Sequence, residues 1–191
     1  MNTERFKRMI RFGALGLILV ALIMTPLIDR LSVHMAGEPV RLALRPVDPR
    51  DLFRGDYVIL NLAITTIRPD DLTGSWPEGL KVGDPVWVQL SKSEDGLVAK
   101  PVLIAANPPG EDGELWIQGT VDRVRGTDSG APSLQLSYGL DAFFVPEGEG
   151  LAIETLDPEE LALIILVDPR GKSLPYRLVK GDEVLLEDAG L

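Results

Sequence analysis

Two hydrophobic patterns divide the chain. Residues 12–28, FGALGLILVALIMTPLI, form one uncharged run between Arg11 and Asp29. Wound as a helix, those seventeen residues would rise about 25 Å, a little short of a hydrocarbon core. Met9 and Ile10 lengthen the run, and Arg11 and Arg30 can snorkel to the interface. Pro26 stands near its end, where a lost backbone bond costs least.

Beyond Pro39 the pattern changes to short apolar runs at period two, separated by Gly, Pro, Asp and Asn. It predicts strands at 39–44, 57–65, 85–90, 97–105, 114–124, 133–138, 143–145, 161–167, 175–179 and 183–186. The stretches TGSWPEG, KSEDG, NPPGEDG, GTDSGAPS and PEGEG supply turns between them. Residues 149–156 read as one short helix, with few breakers after Gly150 and Asp157-Pro158-Glu159-Glu160 to cap a further turn. Periodicity alone cannot sort LALIILV at 161–167. Its β-branched Ile164, Ile165 and Val167, and the abrupt stop at Asp168-Pro169, favour a strand. The expected fold is mainly β, a barrel-like or sandwich domain with one short helix, preceded by a single N-terminal transmembrane helix. On this reading residues 1–8 are a cytoplasmic stub, 9–30 a membrane anchor and 38–191 an exported domain.

One phrase recurs. RGDYVIL at 54–60, VGDPVWV at 82–88 and KGDEVLL at 180–186 share Gly-Asp-x-Val with an apolar residue two places later. Gly reaches φ > 0 in a turn and Asp accepts a local backbone N–H, so the pair is a natural entrance to a strand. Alternation then places Val58 with Leu60, Val86 with Val88, and Val184 with Leu186 in the core. A second echo, VDPR, stands at 47–50 and at 167–170. Turn chemistry accounts for the first phrase, whereas the VDPR echo fits either two related half-units or the same turn used twice; Arg54-Gly55-Asp56 at a strand entrance is a poor candidate for an adhesion loop.

Charge changes the picture more than composition. The formal net charge is −10, of which residues 1–30 contribute +3, leaving −13 on the remainder. An acidic body of that size repels phosphates, which argues against nucleic-acid binding. There is no cysteine, so disulfides, thiolate metal sites and cysteine nucleophiles are excluded, and the single histidine, His34, follows the apolar run in isolation. No cofactor or metal is expected. A cleaved signal peptide competes with the anchor, but its small-residue stop at Ala36-Gly37 has His34 two places before Ala36, and the apolar run exceeds a usual signal core. Basic residues before the run put the N-terminus in the cytoplasm, which in a bacterium makes this a single-pass inner-membrane protein with a periplasmic domain.

The residues VDPRDLFRGDYVIL resemble the GDYXXLXY family of small membrane-anchored bacterial proteins. Gly55, Asp56, Tyr57 and Leu60 match the namesake positions, whereas Leu62 replaces the final Tyr. FFVPEGEG at 143–150 is similar to the family's later signature, an aromatic strand followed by Pro-Glu-Gly. The resemblance implies an exported β-rich domain on one membrane helix, in the company of a polytopic membrane protein; it implies no activity.

Enzymatic readings are weaker. Asp48, Asp51 and Asp56 surround Arg50 and Arg54, a set able to bind a hard cation or run acid–base hydrolysis, although the arginines neutralise it and the spacing fits no EF-hand. The stretch 49–58, P-x-x-L-x-x-G-D-x-V, is similar to the segment after the nucleophile in membrane-anchored signal peptidases. No hydroxyl stands near Pro46-Val47 to serve as that nucleophile. Trp76, Trp87, Trp116, Phe143 and Phe144 are core aromatics by default, Trp76 being the one suited to an interface. The expectation is therefore a non-catalytic, partner-binding envelope component, with Arg50, Phe53, Arg54, Gly55, Asp56, Tyr57 and Leu60 as its contact surface.

Overall fold

The structure, a computed structural model, describes residues 3–45, 57–92, 99–107, 114–126, 132–140, 142–144, 156–157 and 160–188. The apolar run lies in a single helix, α1 (Thr3–Ala36), within which Ile10–Ala36 is long and apolar enough to cross a membrane. The helix does not end near Pro26 but continues ten residues past it. Thr25 Oγ1 donates to the carbonyl of Ala21 at 2.8 Å in the turn before the proline. From Ile10 to Ile28 its large side chains are exposed, and from Ile10 onward the first buried side chain is Val33.

The body is mainly β and sandwich-like, and among the described residues the sheets do not close into a barrel. β1 (Glu38–Ala43), β9 (Leu161–Val167), β10 (Ser173–Lys180) and β11 (Glu183–Glu187) form an antiparallel sheet in that order. A second sheet runs β3 (Thr66–Ile67), β7 (Ser133–Ser137), β6 (Trp116–Arg125), β4 (Pro85–Lys92) and β5 (Ala99–Ala105). A separate two-stranded ladder joins β2 (Tyr57–Ile59) to β8 (Ala142–Phe144). Leu42, Leu62, Ile64, Val86, Val88, Ile117, Leu136, Leu163, Ile165 and Leu178 are among the side chains that fill the one core between the sheets.

LALIILV is a strand, as its β-branched residues predict. The predicted strand at 57–65, in contrast, is split three ways. Residues 57–59 pair with β8; Leu62 then bridges Leu44, with Arg45 N to Asn61 O at 2.7 Å and Ala63 N to Ala43 O at 2.9 Å. Finally Thr65 accepts from Leu136 N at 2.8 Å as β3 joins β7. Leu60, Leu62 and Ile64 keep the period-two alternation and are all buried, so one short stretch of chain pins both sheets and the ladder together.

Two of the three Gly-Asp entrances are described and both stand at turns, whereas Gly55-Asp56 and the Val58 side chain expected in the core lie outside the described residues. Gly83 has φ +92°, and Asp84 accepts from Lys81 N at 2.8 Å; Gly181, at φ +58°, turns the hairpin between β10 and β11. Val86, Val88, Leu60 and Leu186 are core residues, but Val184 is 47% exposed. The reason is a bulge: Leu178 pairs with Leu186 and Val179 with Val184, so Leu185 is the extra residue and reverses the parity between Val184 and Leu186. Trp76 packs half-buried against the core instead of projecting from its loop. The described residues of the body include a short 3-10 turn at Pro69–Asp71, and Glu160, whose N–H donates to the Asp157 carbonyl at 3.0 Å, is also in 3-10 conformation; residues 149–155, where the short helix was expected, lie outside the described residues.

Candidate functional site

Two places in the molecule gather the polar and aromatic residues that the core leaves over. The first is the ladder. Tyr57 stands opposite Phe144, Val58 opposite Phe143 and Ile59 opposite Ala142. The two phrases that stood out in the sequence, GDYVIL and FFVPEGEG, are therefore hydrogen-bonded neighbours despite some eighty-five intervening positions. Because the ladder is antiparallel, the chain enters it at Tyr57 and leaves it from Phe144 at the same end. Of the expected contact residues, Tyr57 begins this ladder and Leu60, the residue after its first strand, is buried in the core at 5% exposure. Arg50, Phe53, Arg54, Gly55 and Asp56 lie outside the described residues, as do Asp48 and Asp51 of the hydrolase alternative. Leu62, standing where the family phrase has its second Tyr, is fully buried.

A few residues past the ladder the chain is tied by a second phenol. Tyr138 packs beside Gly119, where an added Cβ would come within 2.9 Å of the ring, and its hydroxyl donates to the Ile64 carbonyl at 3.0 Å. Burial pushes that phenol's pKa up, so it stays a neutral donor.

The second place is where α1 meets the body, and sequence reasoning did not find it. The last helical turns touch β9 and β10. Lys172 Nζ lies 2.7 Å from Asp29 Oδ2, and an Arg30 guanidinium nitrogen lies 2.9 Å from Asp188 Oδ2. The 167–170 copy of VDPR builds the third tie. Asp168, 5% exposed, accepts from Arg170 N at 2.9 Å, Lys172 N at 2.8 Å and Arg170 Nε at 3.0 Å. Held in that way, the Arg170 guanidinium reaches across to donate to Ser32 Oγ at 2.9 Å.

An aromatic contact completes the junction. β10 carries a bulge between Pro175 and Arg177 that takes Tyr176 out of register, and its ring meets His34 edge-on with centroids 6.1 Å apart. Arg177 stacks over the same ring at 4.4 Å and donates to Glu187 at 2.8 Å. That hydrogen bond holds the Glu187 carboxyl below its ordinary range and the guanidinium above its own. The one available signal in the sequence was the charged VDPR turn repeated near the C-terminus, which reads as punctuation until its partner Ser32 is known.

Among the described residues no three His, Cys, Asp or Glu side chains stand together as a metal site. What the two places offer is attachment: a ladder end built by two sequence motifs, and a rigid seat for the helix. The family model for GDYXXLXY proteins matches residues 19–178, from the middle of α1 into β10. The chain belongs to the GDYXXLXY family. The match covers the second half of α1, the ladder and most of the helix seat, Asp188 and Glu187 lying beyond it, so the family unit includes most of the helix junction as well as most of the β body. No curated protein and no solved structure matches the chain.

Proposed function

We propose that this GDYXXLXY protein is a non-catalytic, single-pass component of the bacterial inner membrane, N-terminus inside, whose periplasmic β domain binds another envelope protein at the ladder end. The observation that carries this reading is the pairing of Tyr57 with Phe144, which joins the two family motifs in a ribbon outside both main sheets. All six ladder residues are apolar or aromatic. A two-stranded ribbon of that composition gains little alone and gains most when something covers it. Residues 50–56, which immediately precede the ribbon in the sequence, carry Arg50, Arg54 and Asp56 and so offer charge for orientation.

Retention of the anchor is supported by Val33, 2% exposed against the body, and by the ion pairs of Asp29 and Arg30 in the turn before it. Cleavage at Ala36-Gly37 would strip those contacts from the domain. The basic residues before the run and the acidic body after it favour export of the C-terminal part.

The test is position-specific photocrosslinking in intact membranes. A crosslinker at position 57 should capture a discrete membrane-protein partner, and one at position 82, a 67% exposed turn residue on β4's entrance, should not. Asp56→Ala should abolish the capture without lowering the melting temperature. Equal capture at both positions, or none at 57 in a folded protein, would refute the surface.

A further inference from the structure

Beside the helix junction lies an open cleft of about 570 Å³. Pro26, Asp29, Arg30 and Val33 form its helix wall, and the facing wall carries Thr120 and Lys172 together with Gln118 and Ser137. Its depth follows from the helix. From Pro26 to Val33 the axis advances about 10 Å, beginning just inside the uncharged run and ending about 7 Å beyond Ile28. The polar layer of a bilayer is about 5–7 Å thick on each side of the hydrocarbon. If the helix spans the membrane, as proposed above, the cleft opens at headgroup level.

The charges there are balanced, which is unusual for a body carrying −13. Lys172 is paired with Asp29 and Arg30 with Asp188. The carboxylate and guanidinium or ammonium groups of these pairs are between 29% and 45% exposed. Pairs so open to water are weak, and they exchange readily for an external partner of matching charge. Lys172 and Arg30 match a phosphodiester in charge, and Asp29 matches an ammonium. The hydroxyl of Thr120 and the Gln118 amide add polar, hydrogen-bonding walls. An anionic headgroup would leave one surplus negative charge in an acidic neighbourhood, whereas a headgroup carrying both signs leaves none.

We propose that this cleft seats the headgroup of a zwitterionic phospholipid with a primary ammonium, its phosphodiester on Lys172 and Arg30 and its ammonium on Asp29. The lipid would then fix the rotation of the helix against the domain by bridging the two walls.

Native mass spectrometry of the full-length protein, exchanged from detergent into mixtures of phosphatidylethanolamine, phosphatidylcholine and phosphatidylglycerol, tests this. Phosphatidylethanolamine should be retained several-fold over phosphatidylcholine, which has no N–H donor, and over phosphatidylglycerol, which has no cation. Asp29→Asn should erase the distinction between the two zwitterions, and Lys172→Gln should lower retention of both. Wild-type protein that keeps phosphatidylglycerol as well as or better than phosphatidylethanolamine overturns the proposal, whatever the variants do. Alkaline carbonate extraction separates the two readings: protein released into the soluble fraction defeats the membrane anchor, whereas protein that stays with the lipid but shows no headgroup preference defeats only the cleft.

Discussion

β9 and β6 sit at the centre of the two sheets and are built on different plans. On β9, Leu161, Leu163, Ile165 and Val167 fill the core, and on the reverse face Ala162 and Leu166 are buried as well. On β6, residues 117–121 alternate: Ile117, Gly119 and Val121 are buried, Gln118 is half-buried and Thr120 is exposed. An antiparallel sheet normally shows water one face. The second layer over β9 includes the end of α1, where Gly37 passes so close that a Cβ there would lie 2.9 Å from Leu166 Cβ. The helix that begins as a membrane-length apolar rod thus finishes as part of the domain's packing, and the strand beneath it reads as continuously hydrophobic for that reason.

The largest expected effect tests the core face. Ile165→Ala removes a fully buried side chain and should cost about 2–5 kcal/mol, whereas Gln118→Ala on the watered face of β6 should stay within about 0.5 kcal/mol. Denaturant unfolding of the full chain in detergent measures both. Similar losses at the two positions would abolish the contrast between the strands.

A smaller effect tests the covering layer itself. Gly37→Val pushes a side chain toward Leu166 and toward Val167 N at 3.2 Å, a backbone atom with little room to yield. The expected cost is about 1–3 kcal/mol, with faster amide exchange confined to the end of α1. Gly13→Ala, where nothing lies within 4 Å, should cost nothing measurable. Asp168→Ala belongs to the same range: two backbone N–H groups and the Arg170 side chain lose their acceptor, for about 1–3 kcal/mol. Asp168→Asn, which keeps one acceptor oxygen, should lose less. If Asp168→Ala leaves the unfolding midpoint in place, the turn does not brace the helix.

These positions also mark what the sequence could and could not reveal. Strand identity was legible wherever alternation was local, as at 85–90 and 133–138, because side-chain period and burial coincide there. The same alternation in residues 57–65 was right that Leu60 is buried and wrong about the strand, since three different partners share one apolar phrase. Val184 was misplaced by a single inserted residue, a feature of pairing that no single-strand pattern carries. The ladder between Tyr57 and Phe144 was only half legible: both motifs were visible, but their meeting depends on contacts far apart in the chain. The helix junction was illegible for the same reason, with Ser32 and Arg170 separated by 138 positions.

The smallest effect lies at the far edge of the β9 sheet, where pH probes one pair. Glu187 accepts from Arg177 at 2.8 Å, and this bond is the first cause of its pKa falling below the ordinary 4.5. A carboxyl with a lower pKa in the folded chain than in the unfolded one contributes stability that is fully present above that ordinary value. The contribution disappears as pH falls through the folded value. Acid titration of the unfolding midpoint from about pH 6 to about pH 3 should therefore show a limb that Glu187→Gln flattens. Arg177→Gln should flatten it to the same degree, and the double variant should add nothing further. Because both side chains face water, the limb should shrink at high salt while the Ile165 effect does not. An acid limb that survives Glu187→Gln unchanged would mean that the edge of this sheet, unlike its doubly covered centre, contributes no measurable pH-linked stability.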